Sequence, residues 1–294
     1  MSVRRVLGGC ASGMVLLVVT LAFTVAPSIA AGGLLHPARV ALYYTTPPGC
    51  ADREFAGDGL TLRGWSCAAH GQRRGTVVYL HGVADNRSSA IGVIDHLVRQ
   101  GFDVVAYDSR AHGESDGNAC TYGFYEKRDL IHVIDSLPPG PVVLIGSSLG
   151  GAVAIQGAVG KGRIAGVVAA EAFSDLRTIA IERAPRFLPS PVIARAFRVA
   201  EERGHFDVAS VSPVAAAALL RIPVLLIHGA DDVETRPEHS KRILLALRGP
   251  KQLLLVPGAG HNQSLNSASA WDAIDRFLDY AAPTRNVQVQ DAGL

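Results

Sequence analysis

Ser148 stands at the centre of Gly146-Ser147-Ser148-Leu149-Gly150, where the β-branched run Val142 to Ile145 gives way to a Gly/Ala-rich run starting at Leu149. A serine hydroxyl is a poor nucleophile near neutral pH. Chemistry at this position therefore demands a histidine within hydrogen-bond reach and a carboxylate to orient it. The G-x-S-x-G spacing fits a serine raised on a sharp strand-to-helix turn, where glycines on both sides relieve the crowding. By that spacing Ser148, rather than Ser147, is the candidate nucleophile.

The partners should follow in the order Ser, Asp or Glu, His, each in a loop at the carboxyl end of a strand. Pro223 to Ile227 reads as a strand and runs through His228-Gly229-Ala230 into Asp231-Asp232. Lys251 to Gly258 ends another, followed by Ala259-Gly260-His261-Asn262. Among ten histidines, His261 is distinguished by lying between the last strand and the last helix. His228 precedes its loop's glycine and reads as packed. Asp232 is the first choice of acid over Asp231, with Glu171 and Asp175 in reserve. An oxyanion hole needs two backbone N–H groups. Leu149, at the start of the helix after the nucleophile, is one candidate donor. Val83, after Leu80-His81-Gly82, is the other.

The elements that must position these residues alternate along the chain. Strands are expected at Thr76 to Leu80, Phe102 to Tyr107, Val142 to Ile145, Ile164 to Ala169, Pro223 to Ile227 and Gln252 to Val256. Helices are expected at Asn86 to Gln100, Tyr122 to Leu137, Leu149 to Val159, Pro237 to Leu247 and Ser267 to Ala281. Such alternation gives an α/β fold, a mostly parallel sheet with helices on both faces. Before it, Asp58-Gly59 reads as the two-residue turn of an antiparallel hairpin. Every cross-strand pair then sums to 117, which sets Cys50 opposite Cys67 as a candidate disulfide that an exported domain would tolerate. Between Ala169 and Pro223 the connection is too long for a simple crossover. The apolar residues and prolines of about 174–215 read as a small helical cap. Its arginines, Arg177, Arg183, Arg186, Arg195 and Arg198, read as a solvated face, with an acidic substrate or lipid headgroups as the alternative.

Arg4 and Arg5 precede an uncharged, mostly apolar stretch from Val6 to Ala26, long enough to span a bilayer. Ser28-Ile29-Ala30 also satisfies the small-residue rule for signal cleavage. Residues 1–31 are thus a membrane anchor or a signal segment, and the rest is sent across the membrane, anchored there or secreted if cleaved near Ala30. The tail, 283–294, is polar and without pattern. A net charge of +2 with scattered basic residues excludes a nucleic-acid footprint. No H-E-x-x-H or C-x-x-C pattern occurs, so no metal or organic cofactor is expected. The oligomeric state is left open.

Taken together, VVYLHGVADNR (Val77 to Arg87), FDVVAYDSRAHGES (Phe102 to Ser115), VVLIGSSLGGAVA (Val142 to Ala154), PVLLIHGADDVET (Pro223 to Thr235) and LVPGAGH (Leu255 to His261) resemble the α/β-hydrolase family. LLHPAR (Leu34 to Arg39) and TYGFYEKRDL (Thr121 to Leu130) resemble its membrane-anchored members of uncertain substrate. The resemblance implies an α/β-hydrolase domain over 32–282. It implies Ser148 as nucleophile, Asp232 as acid, His261 as base, and Val83 and Leu149 as oxyanion donors. The implied activity is a serine hydrolase cleaving carboxylic esters or thioesters of a small-molecule or lipid-like acyl substrate. Amide cleavage, acyl transfer on the same triad, or a non-catalytic binding role are the alternatives. Glu234-Thr235-Arg236 departs from the family, in which many members carry a Val-Pro pair at the places of Thr235 and Arg236.

Overall fold

The computed structural model describes residues 20–21 and 23–284. Its strands are β1 (Cys50–Ala56), β2 (Thr61–Cys67), β3 (Gly75–Leu80), β4 (Phe102–Tyr107), β5 (Val142–Ser147), β6 (Ile164–Ala170), β7 (Val224–Gly229) and β8 (Lys251–Val256). They form one sheet in the order β1-β2-β4-β3-β5-β6-β7-β8. Pairing is antiparallel at β1/β2 and β2/β4 and parallel from β4 to β8. Every residue of β3, β5 and β7 is buried. Such strands must be covered on both faces, which is why they read as near-continuous apolar runs rather than alternating ones.

The covering helices are α1 (Ala26–Leu35), α2 (Ile91–Arg99), α3 (Glu126–Asp135), α4 (Leu149–Gly157), α5 (Leu176–Arg183), α6 (Ser190–Gly204), α7 (Pro213–Ala217), α8 (Glu238–Ala246) and α9 (Ala268–Ala281). Leu130 and Val133 of α3, Val153 of α4 and Ile243 of α8 pack on one face of the sheet. Val93 and Leu97 of α2 and Ile274 and Leu278 of α9 pack on the other. This is the mostly parallel, doubly covered sheet anticipated from the strand and helix order, in the α/β-hydrolase arrangement that the motif resemblance implies.

The hairpin keeps the anticipated register without a bulge, from Ala56 opposite Thr61 to Cys50 opposite Cys67. Cys50 and Cys67 form a disulfide. Cys120 is a buried free thiol.

Two helices begin later than the pattern suggests. Asn86 accepts the N–H of Ser88, and a 3-10 turn over Arg87–Ala90 precedes α2. Tyr122 and Gly123 both have positive φ. The Glu126 carboxylate accepts the N–H groups of Thr121 and Gly123 and the Thr121 hydroxyl, each at 2.7 Å. That knot of bonds replaces the helical turn expected at Tyr122, so α3 starts at Glu126.

Between β6 and β7 lie α5 and α6, joined across Pro185 and Pro189, with Pro191 in the first turn of α6. Prolines suit a helix start because its first N–H groups have no helical acceptor. At the N-terminus, most of the stretch from Val6 to Ala26 lies outside the described residues, as do 285–294 of the tail. Among the described residues no helix is long and apolar enough to cross a membrane. Residues 26–31, which the sequence assigns to the anchor or signal segment, fall within α1. Ala31 and Leu35 are buried there with Phe197 and Ala200 of α6. A Cβ on Gly204 would meet Leu35 Cδ2 at 2.9 Å, so glycine permits the close approach of α1 to the end of α6. A cut after Ala30 would fall in the middle of α1.

Candidate active site

Ser148 leaves the end of β5 with φ +51° and ψ −112°, in the positive-φ region that side chains rarely occupy. Its N–H donates to the carbonyl of Ala170 at 2.8 Å, and α4 begins at the next residue. A Cβ on Gly150 would come within 2.0 Å of the carbonyl oxygen of Leu80. The start of α4 can therefore press against the end of β3 only with glycine there. Close approach, rather than backbone freedom, explains the second glycine of the motif.

His261, in the loop after β8, places Nε2 3.0 Å from Ser148 Oγ. Its Nδ1 lies 2.7 Å from Asp232 Oδ2. An ionised carboxylate can only accept, so Nδ1 donates to Asp232 and Nε2 faces the serine hydroxyl as acceptor. Asp232 is buried, whereas Asp231 is exposed. Oδ1 of Asp232 accepts the N–H groups of Glu234 and Thr235, both at 2.9 Å. Burial pushes this carboxyl up. Hydrogen bonds from His228, His261 and the Thr235 backbone outweigh that effect and hold it well below the usual carboxylate range.

His228 is fully buried, as its place before the loop glycine suggested. Its Nε2 donates to the carbonyl of Thr235 at 2.6 Å and lies 3.4 Å from Asp232 Oδ2. The same histidine thus packs the loop and flanks the carboxylate. Asp175, one of the reserve acids, caps α5 by accepting the N–H of Thr178 at 2.8 Å.

Glu171, the other reserve acid, has a different place. It is fully buried and accepts backbone N–H groups of Asn262 at 2.8 Å and Ser264 at 3.0 Å. It therefore holds the loop that carries His261. Its position after β6 marked it as a candidate, but the partners lie 91 and 93 residues further on, beyond any local pattern.

The two expected N–H donors border the same cavity as Ser148. Leu149 is the first residue of α4, so its N–H has no acceptor within the helix. Before Val83, the ring of His81 fixes the backbone. Its Nε2 accepts the N–H of Ser109 at 2.9 Å, which leaves Nδ1–H to donate to the Gly82 carbonyl at 2.7 Å. The C=O and N–H of a trans peptide point in opposite directions. With the Gly82 carbonyl held toward His81, the N–H of Val83 faces away from it.

Residues 77–277 match the model of the alpha/beta hydrolase family. The chain is 30% identical over 233 residues to the uncharacterized protein YqkD of Bacillus subtilis, covering 75% of this chain and 76% of that protein. In three dimensions it is similar to the Pyrococcus furiosus esterase Pf2001, with a TM-score of 0.67 and 23% identity, over 84% of this chain and 99% of the other. It is also similar to the Pyrococcus horikoshii acylaminoacyl peptidase, with a TM-score of 0.64 and 14% identity, over 81% of this chain and 42% of the peptidase. At these identities the two solved structures speak for the fold alone. The family match extends from within β3 into α9 and so takes in the serine turn, the acid loop and the histidine loop. The chain belongs to the alpha/beta hydrolase family.

Proposed function

We propose that this hydrolase cleaves carboxylic esters or thioesters through an acyl-enzyme on Ser148. The observation that carries the proposal is the continuous hydrogen-bonded path from Ser148 Oγ through His261 to Asp232. His261 Nε2 takes the serine proton as Oγ attacks the acyl carbonyl. Asp232 stabilises the resulting imidazolium through the Nδ1 hydrogen bond. The carbonyl oxygen gains negative charge, which the N–H groups of Val83 and Leu149 receive at the positive end of α4. Collapse of the tetrahedral species passes the proton from Nε2 to the departing alcohol or thiol. Water, deprotonated by the same nitrogen, then attacks the acyl-serine and releases the acid. No group in this sequence of steps needs a metal or an organic cofactor.

The test is labelling of the full chain with a fluorophosphonate, followed by mapping of the modified peptide. Labelling at Ser148 in the wild type, absent in Ser148→Ala, is the expected result. A folded wild-type protein that stays unlabelled would overturn the assignment.

A further inference from the structure

The cavity that opens onto Ser148 has a volume of about 380 Å³, within the range of small-molecule sites. Leu149 and Val83 border it at the catalytic end, and the two cap helices supply Leu176, Ile179, Val192 and Phe197. Tyr122 and Phe173 add to the wall from loops of the sheet, and a further part comes from outside the strand-and-helix alternation. Ala30 and Leu34 of α1 line the cavity, one helical turn apart and so on the same side of their helix.

This wall is anchored at both ends. Leu35 accepts the N–H of Cys120 at 2.8 Å, and the Leu34 carbonyl accepts the Tyr122 hydroxyl at 3.1 Å. Toward the start of the helix, Arg203 of α6 donates to the Ser28 carbonyl at 3.2 Å.

The polar groups bordering the cavity away from Ser148 are few, and each bonds within the protein. Tyr122 is engaged by Leu34. Arg183 donates to the Thr235 hydroxyl at 2.9 Å and to the Glu234 carbonyl at 3.2 Å. The rest of the surface these elements offer is aliphatic and aromatic. Against that aliphatic and aromatic wall, a hydroxyl, amide or charge on a bound tail would give up water without gaining an equivalent partner.

We infer that the cavity receives the acyl portion of the substrate as an uncharged hydrocarbon chain, and that α1, through Ala30 and Leu34, sets how long a chain it accepts. The inference rests on Ser148 being the acylated residue. It makes the N-terminal helix a specificity element rather than a connector, because chain-length selection then depends on a wall laid down before the first strand.

The measurement is kcat/KM of the full chain for p-nitrophenyl esters from acetate to palmitate. Wild type is expected to gain about fourfold per methylene, the equivalent of ~0.8 kcal/mol, until the cavity is filled. Ala30→Trp occupies part of that space and should bring the maximum to a shorter ester. Leu34→Ala vacates part of it and should move the maximum to a longer one. Opposite shifts cannot come from general loss of structure, which would depress every ester alike.

A uniform loss in both variants, or an unchanged maximum in both, overturns the role of α1. A wild type that hydrolyses acetate but shows no gain along the series overturns the hydrocarbon assignment while leaving Ser148 as nucleophile. A wild type inactive on the whole series overturns the inference as well, and fluorophosphonate labelling then shows whether the reading of Ser148 falls with it.

Discussion

The Glu171 carboxylate accepts the backbone N–H of Asn262 through Oε2 at 2.8 Å, one residue beyond His261. Its other oxygen accepts the N–H of Ser264 at 3.0 Å. Glu171 follows directly on β6, its own N–H donates to the Ile227 carbonyl at 2.8 Å, and its φ of +53° lies in the left-handed region. The Ser147 hydroxyl, one residue before the candidate nucleophile, donates to Asn262 Oδ1 at 3.1 Å. The same hydroxyl lies 3.4 Å from Glu171 Oε2, so the turn carrying Ser148 and the loop carrying His261 meet at one buried side chain rooted in the sheet.

Glu171→Gln tests this link. The amide keeps one acceptor oxygen but turns N–H donors toward a backbone N–H, leaving it unsatisfied at a cost of about 1–3 kcal/mol. Relaxation of the loop would move His261 off Ser148 without touching the acyl pocket. The expected kinetic result is a kcat lower by roughly 10²-fold with KM close to wild type, and slower fluorophosphonate labelling. Equal kcat in variant and wild type would mean that the loop holds its place without this carboxylate.

The contrast between Ser148 and Glu171 shows what one-dimensional reading reaches. Ser148, Asp232 and His261 are each announced by local signals, a glycine-flanked turn or a strand ending in a polar loop. Those signals are local because the strain and close approach behind them are local, as at Gly150 against Leu80. The clamp on the histidine loop depends on which loops the sheet order brings side by side. That order, with β6 next to β7 and β7 next to β8, is not written in periodicity. The same holds for α1. Its small and apolar residues match a leader segment as well as a packed helix, and its contact with Phe197 and Ala200 of α6 is a long-range relationship that composition does not encode. In the hairpin, by contrast, two-residue turn chemistry fixes the register, so the Cys50–Cys67 pairing was legible in advance.

Asp232→Asn separates orientation from packing at nearly constant volume. An amide cannot serve as the charged acceptor of Nδ1–H, and the wrong imidazole tautomer is then favoured. A loss of about 10⁴-fold in kcat is expected, read by steady-state turnover of a short ester. The substitution also has a pH signature. The native carboxyl titrates below its usual range, so the unfolded state binds the proton more readily. Its stabilising contribution is fully present above the unfolded value of about 3.9. It is lost as the pH falls through the native value. The Tm difference between wild type and Asp232→Asn should accordingly narrow on acidification below about pH 4. A gap that stays constant or widens there would contradict the depressed carboxyl.

The disulfide at the hairpin ends makes the last prediction, and it bears on the edge of the sheet rather than on catalysis. β1 is the edge strand and contacts the sheet through β2 alone, and its residues Ala51 to Glu54 are exposed. Little burial holds it. A cross-link closing 17 residues removes unfolded-state freedom worth about 3 kcal/mol. That is comparable to what a short, half-exposed strand gains from its ladder. The paired substitution Cys50→Ser and Cys67→Ser should therefore lower Tm and leave kcat on a short ester near the wild-type value. Peptide mapping without reductant should recover the two cysteines as one cross-linked species. Recovery of both as free thiols from oxidised protein would remove the cross-link. The edge strand would then have to be held by its pairing with β2, by the burial of Phe55, and by the Trp65 indole, which donates to Asp52 at 3.1 Å.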